Sequence, residues 1–360
     1  MPPALSGVAD YSGWLVKRLG QLAELEINPQ TPTGRVIYHI GNNPLHRDIY
    51  HTALARPGIV VIHDAVLHHF YLGLLDESSY LEEFVYNYGE WTRGLATNLW
   101  KNRSRSGADA DYFDFPMLRR ITENAECVVV HNKAAAEIVR EHSPNARIEE
   151  IPHLYEPSGS LDGVVVERLR AGWGAMPSSC VFGVFGHLRE AKRINVVMRA
   201  FERARKVNPK MFLLLAGSAG SLDIGPALDR WGNRPGVVRL GHTAEKDFFN
   251  LCEAVDVGIN LRYPSAGETS GITIRLLGMG KPVVVSEGPA NSTFPDSACL
   301  KLPVNASEEA LLTEYMIYLA ANPAKRHAMG RMATRHIAEF HSLAVVAQRY
   351  FDVLVSCTLK

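Results

Sequence analysis

A carboxylate, two hydroxyls and two glycines stand between an apolar run and a helical pattern in GETSGITIRLLGMGKPVVVS, residues 267–286. A helix opening at Ser270 and Gly271 would present unpaired backbone amides and the positive end of its dipole, a fit for an anion. Small side chains at Thr269, Ser270 and Gly271 let a phosphate approach the backbone, with Ile272 completing the first turn. Glu268 would be repelled by that phosphate unless it accepts hydrogen bonds from hydroxyls of an adjoining sugar. The plainer alternative is an N-cap at Thr269 or Ser270, with Glu268 merely favouring the dipole. A second stretch, FGHLREAKRI (185–194), leaves an apolar run at Gly186 and then carries Arg189, Lys192 and Arg193. A lysine there serves as a point charge for phosphate, or the loop is a solvated basic turn. A third, GIVVIHDAVLHHF (58–70), ends an apolar run with His63 and Asp64 and continues into His68 and His69. His63, Asp64 and His68 are competent metal ligands, but their spacing matches no standard site, and no metal is expected. A core-capping His63 is the other alternative. The fourth stretch, SGVADYSGWLVKRLG (6–20), reads as a glycine turn entering a helix.

These loops need strands to carry them. Apolar, β-branched runs occur at 35–42, 58–64, 127–132 and 147–153, then at 180–186, 211–218, 237–242, 255–261 and 281–286. Several lack polar alternation, as expected for parallel strands buried on both faces. Amphipathic patterns at 134–142, 194–207 and 244–255 alternate with them, so the fold class is α/β, with right-handed βαβ units in doubly wound sheets. The Pro-, Gly- and Ser-rich stretch HLYEPSGSLDG (153–163) marks the domain joint. The expected domains are 1–160 and 161–340, with a helix in 341–360 able to pack back on the first. Two such Rossmann-like domains facing across a cleft would hold ligands beyond the carboxyl ends of their strands.

Bulk composition narrows the classes. The chain has 360 residues, 46% hydrophobic and 21% charged, with formal net charge zero. That length suits two domains. Neutral balance argues against a nucleic-acid partner, which calls for a basic face. The five cysteines are scattered, consistent with buried thiols in a reducing compartment and not with a zinc site or disulfide frame. No apolar run is long enough to span a membrane, and MPPALSGVADYS has no secretory pattern, so a cytoplasmic protein is expected, with a peripheral membrane contact left open.

Together the four loops resemble the retaining family 4 glycosyltransferases (glycosyl transferases group 1) of the two-Rossmann-domain GT-B type. SGVADYS is similar to the family's N-terminal glycine loop, VVIHD to its histidine-bearing strand end, VFGHLREAKRI to its phosphate loop, and GETSGITIRLLGMGKPVVVS to its donor-sugar motif. The resemblance spans nearly the whole chain and is more specific in the second domain. It implies that Lys192 binds the donor diphosphate with Arg189 beside it, and that Gly186, His187, Thr269, Ser270, Gly271 and Ile272 line the same donor site. It further implies that Glu268 contacts hydroxyls of the transferred sugar, His63 hydrogen-bonds that sugar, and Gly7 shapes the floor between donor and acceptor. His63, Lys192 and Glu268 would then be the catalytic set.

Three departures accompany the match. His187 stands where the family has an arginine. The family's second, ribose-gripping glutamate falls on Leu276, with Arg275 beside it, which leaves the nucleotide open. Only six residues precede Gly7, where the family has a central strand, so the first domain is expected to be abbreviated at its N-terminus. It would then carry either an open gap between the strands after Thr33 and Gly58 or direct pairing of those two. The implied function is transfer of a sugar from a nucleoside-diphosphate sugar, UDP-sugar before GDP-sugar, to an acceptor hydroxyl. The configuration would be retained, with no cofactor and no metal. The acceptor could be a glycan, a lipid-linked species or a small molecule. An epimerase or hydrolase of the same architecture, or a non-catalytic nucleotide-sugar binder, are the alternatives.

Overall fold

A computed structural model describes residues 7–157, 161–220, 224–243 and 245–357. Ser6 of the glycine stretch, the residues ahead of it, and 158–160 of the expected joint lie outside that set. Two compact units form. One comprises residues 1–154, 264–269 and 340–360, the other 155–263 and 270–339.

The first unit is built on a parallel sheet of β1 (Ile37–Ile40), β2 (Ile59–Ile62), β3 (Cys127–Val130) and β4 (Ile148–Glu150), in the order β1-β2-β3-β4. β1 pairs directly with β2, Ile37 opposite Ile59, so no gap separates the strands that were expected to flank one. Direct pairing, the other expectation, is what the chain adopts, and it satisfies the ladder groups a gap would leave open. The period-2 geometry of a strand sends Val60, Ile62, Val128 and Val130 to one face, where Tyr50, Ala53, Ala136 and Val139 of the Arg47–Ala55 and Lys133–His142 helices cover them. Ile59, Val61, Cys127 and Val129 go to the other face. Its cover comes from both chain ends: Tyr11, Leu15 and Leu19 of the Gly7–Leu19 helix, and Val346, Ala347 and Tyr350 of the Leu343–Ser356 helix. β2 and β3 are fully buried and, Cys127 apart, β-branched, each such side chain contributing about 1.5–3 kcal/mol of burial.

The second unit has six parallel strands: β5 (Cys180–Phe185), β6 (Met211–Ala216), β7 (Val237–Leu240), β8 (Val257–Asn260), β9 (Val283–Ser286) and β10 (Cys299–Leu302), in the order β10-β9-β8-β5-β6-β7. Winding runs outward from β5 to β7 and then resumes from β8 on the other side. The strand order therefore reverses between β5 and β8, the place where open α/β sheets bind ligands. Ile194, Val197, Met198, Phe201 and Ala204 of the Ile194–Val207 helix recur at helical spacing and pack on Phe182 and Val184. Ile274, Leu276 and Leu277 of the Gly271–Gly278 helix pack on the opposite face against Val181, Phe185, Val283 and Val285. All nine expected strands are present; β10 was not foreseen. Among the described residues, no helix is long and apolar enough to cross a membrane.

Candidate functional site

In the second unit the site grows from the β5/β8 junction. Gly186 leaves β5 at φ +85, and a Cβ there would lie 2.6 Å from Ile272 Cδ1, so conformation and space both require glycine. The chain turns through Glu190–Lys192 and enters the next helix at Arg193, itself left-handed at φ +58. That turn buries the Lys192 ammonium within the unit, 3.9 Å from the position a Gly186 Cβ would take. Its hydrogen bond goes to Asn260 Oδ1 at 3.2 Å, and Asn260 Nδ2 donates to Thr273 Oγ1 at 2.8 Å. No carboxylate among the described residues pairs with Lys192. Burial first, then the positive charges of Arg262 and Arg189, hold its pKa well below the usual lysine range. The Gly271–Gly278 helix begins beside this lysine, its first-turn amides of Gly271 and Ile272 having no partner within the helix. The Ser270 hydroxyl is occupied in capping, accepting from Thr273 N. A buried cation without a counter-ion, next to a helix N-terminus, is equipped to take an anion of two or more charges.

Other basic groups of the loop have different commitments. Arg193 makes a bidentate ion pair with the buried carboxylate of Glu308. His187, exposed, meets Ser218 Oγ at 3.0 Å; burial and then Arg189 lower its pKa. Arg189 is exposed beside the turn. Arg275 lies over the rings of Phe248 and Phe249, at 5.3 and 5.8 Å from their centroids, while Leu276 is fully buried in the core. Leu276 therefore offers nothing to a ribose; Arg275 is the neighbouring group that emerges.

In the first unit each strand has a histidine in or after it: His39 within β1, His63 after β2, His131 after β3 and His153 after β4. Parallel register brings them into a row. His131 Nδ1 is 2.9 Å from Ile151 O, His131 Nε2 is 3.2 Å from His63 Nδ1, and His63 Nε2 is 2.9 Å from His39 Nδ1. The Tyr11 ring lies 4.9–5.7 Å from all four imidazoles, and its hydroxyl meets Tyr350 OH at 2.9 Å. Burial pushes His39 down to about 3 and His131 to about 4, and lowers His63 likewise, with neighbouring imidazoles adding to the fall at His39 and His63. His39, His63 and His131 are uncharged at neutral pH. Both ring nitrogens of His63 are engaged inside it. Asp64 accepts from Asn42 N at 2.8 Å, and His68, fully buried, meets Tyr80 OH at 2.7 Å. The His63, Asp64 and His68 trio therefore does not converge, and among the described residues no group of three His, Cys, Asp or Glu is arranged to hold a metal ion.

The loop bearing Glu268 belongs to the first unit. Asn132 caps the Lys133–His142 helix by accepting from Ala135 N, and its Nδ2 donates to Gly267 O and Thr269 Oγ1, both at 2.9 Å. Thr269 Oγ1 in turn reaches His131 O at 3.4 Å, so this hydroxyl is spent on the loop's own anchorage. Glu268 Oε2 accepts from Ser265 Oγ at 3.2 Å. Gly7 opens the first described helix, and a Cβ there would meet nothing.

The structure thus brings Gly186, Lys192, Ser270, Gly271 and Ile272 together in one unit and places His63 and Glu268 in the other. Asn260, Arg262, Asn132, His39 and His131 were not singled out from sequence. The histidines had a signal: each expected strand of the first half, RVIYHIGN, GIVVIHD, CVVVHN and RIEEIPH, carries one at or near its end.

No family model matches the chain, and no curated protein does either. Solved structures do. HepE from Anabaena, in complex with UDP-glucose, superposes with TM-score 0.62 at 17% identity over 88% of this chain and 78% of that one. WaaG, a glycosyltransferase involved in lipopolysaccharide biosynthesis, gives TM-score 0.62 at 13% identity over 98% and 97%. Sucrose-phosphate synthase from Thermosynechococcus elongatus gives 0.58 at 15% over 88% and 72%. At such identities the likeness establishes the fold, the two parallel-sheet, Rossmann-like domains of the GT-B glycosyltransferases.

Proposed function

We propose that the chain is a retaining, metal-independent glycosyltransferase that moves a sugar from a nucleoside-diphosphate sugar to an acceptor hydroxyl. The observation that carries this reading is Lys192, a buried ammonium with no carboxylate partner among the described residues, at the strand-order reversal. Lys192 and the first-turn amides of Gly271 and Ile272 hold the donor diphosphate and offset the charge that develops on it as the glycosidic bond breaks, with Arg262 and Arg189 adding to the potential. Glu268, which would repel a phosphate, accepts hydrogen bonds from hydroxyls of the transferred sugar. Following the family resembled, the leaving phosphate itself takes the acceptor's proton, so no protein base is assigned.

A UDP-sugar is the favoured donor, supported by the UDP-glucose bound in the Anabaena neighbour; a GDP-sugar is second. The enzyme is assigned to the cytoplasm, with a glycan, lipid-linked or small-molecule acceptor. The test is release of nucleoside diphosphate from labelled donors, with and without an acceptor mixture, in EDTA. Acceptor-dependent release with retained configuration is expected, and Glu268→Gln should cut it while sparing binding of the free diphosphate. Release at the same rate without acceptor would assign a hydrolase instead.

A further inference from the structure

The hydrogen-bonded histidine row has a direction. A carbonyl oxygen only accepts, so the 2.9 Å contact to Ile151 O places the proton of His131 on Nδ1. A neutral His131 then has a lone pair on Nε2, and His63 must donate to it from Nδ1. By the same step His63 Nε2 accepts from His39 Nδ1. Three tautomers follow from one backbone carbonyl, and the chain of donors ends at His39, whose Nε2 carries a lone pair on the side of the ring turned away from His63. His39 is only half-buried, whereas His63 and His131 are buried. Burying uncharged imidazoles where strands could end in apolar residues costs stability unless each is hydrogen-bonded, and here the bonds are arranged in series.

We infer that His39 Nε2 is a hydrogen-bond acceptor for a sugar hydroxyl, and that His63 and His131 are positioning residues that fix its tautomer. This inference rests on the glycosyltransferase reading for the identity of the ligand and on the row alone for its polarity. A lone pair facing the ligand selects a hydroxyl and rejects phosphate or carboxylate. The hydroxyl could belong to the donor's sugar or to the acceptor's, and the two sources are separable. It also moves the sugar contact one residue along the row, because both nitrogens of His63 are occupied.

The experiment is nitrogen-15 long-range correlation NMR of the full chain labelled at histidine. His39, His63 and His131 should each show Nδ1–H with a lone pair on Nε2; Nε2–H on His39 overturns the inference. Next, UDP-glucose, GDP-mannose and ADP-glucose are titrated, each against its free diphosphate, followed by a panel of methyl glycosides. A shift at His39 Nε2 with a sugar nucleotide but not its diphosphate assigns the donor's sugar. A shift with a glycoside assigns the acceptor's. Silence of His39 in every arm overturns the inference, even if the diphosphates bind. A response to glycosides with no sugar nucleotide bound would sink the donor reading and leave the row's role standing. His39→Asn keeps a donor to His63 Nε2 but removes the distal nitrogen. It should leave the melting temperature unchanged and weaken the responding ligand about five-fold.

Discussion

Replacing Lys192 by methionine separates a ligand-binding cation from a structural one, because only the structural role predicts a large loss of stability. In the free protein the ammonium is buried with Asn260 Oδ1 as its hydrogen-bond partner. Exchanging an uncompensated buried charge for an apolar chain of similar volume is neutral or stabilising, by about 1–4 kcal/mol. Against that, Asn260 Oδ1 loses its donor, at about 1–3 kcal/mol. The two terms offset, so the fold should be about as stable as the parent's, within about 3 kcal/mol either way. Diphosphate binding loses a charge-assisted hydrogen bond of about 1.5–3 kcal/mol, which is a ten- to hundred-fold weakening on a scale where about 1.4 kcal/mol is ten-fold. The pH dependence gives a second handle. The folded pKa of Lys192 lies below the unfolded value near about 10.4, so between the two the unfolded chain binds more protons and stability rises with pH. Any advantage of Lys192→Met over the parent should therefore shrink as pH rises toward that unfolded value. Denaturant unfolding at several pH values and calorimetric titration with UDP read all three quantities. A variant less stable by more than about 3 kcal/mol, with UDP affinity unchanged, would show that Lys192 is a structural cation and refute the reasoning.

Three further perturbations test the rest of the site. Gly186→Ala adds a Cβ at positive φ and 2.6 Å from Ile272 Cδ1; a loss of about 2–4 kcal/mol is expected in denaturant unfolding, partly recovered by adding Ile272→Val. Asn132→Asp keeps the oxygen that caps the Lys133–His142 helix but removes the donor to Gly267 O and Thr269 Oγ1. Because the new carboxylate oxygen is buried against the Gly267 carbonyl, a stability loss of about 1–3 kcal/mol is expected, and donor turnover falls at least ten-fold, measured by diphosphate release on the folded protein, with UDP affinity kept. The neutral histidine row makes the first unit acid-labile. His39 and His131 sit at about 3 and 4, below an unfolded value near about 6.5, so their contribution is complete above that value and lost as pH falls toward their folded values. His39→Asn should flatten the fall in melting temperature between neutral pH and pH about 4, with His46, His63, His131, His153 and Asp64 as the remaining nearby titratable groups.

The Lys192 loop and the Ser270 helix start were legible in the sequence because each is a local pattern: apolar strand, glycine, polar turn, amphipathic helix. The same locality made nine strands readable from β-branched runs. β10 escaped because CLKL is short, mixed and at the sheet edge, where Lys301 is only half-buried and pairing on one side suffices. The cover of the first sheet was half legible: both helices were readable, and the one in 341–360 was expected as able to pack back on the first domain, but no local pattern reports that the Gly7–Leu19 and Leu343–Ser356 helices pack together on one face. The histidine row was half legible. Each strand visibly carries its histidine, but only parallel register, with β1 directly beside β2, turns four separate residues into a chain of hydrogen bonds. Asn132 read simply as a helix cap; its second task depends on residues 135 and 137 positions away.

The central claim is that the buried, carboxylate-free ammonium of Lys192 holds the diphosphate of a sugar nucleotide. It is tested most directly by the thermal stability of the parent and of Lys192→Met with UDP-glucose, GDP-mannose and ADP-glucose. A ligand that binds only the folded state at 100 times its Kd adds about 2.7 kcal/mol. The account predicts that at least one donor, UDP-glucose first, raises the parent's melting temperature accordingly, and that the same concentration barely moves Lys192→Met. Equal shifts in parent and variant, or none with any donor, would contradict it.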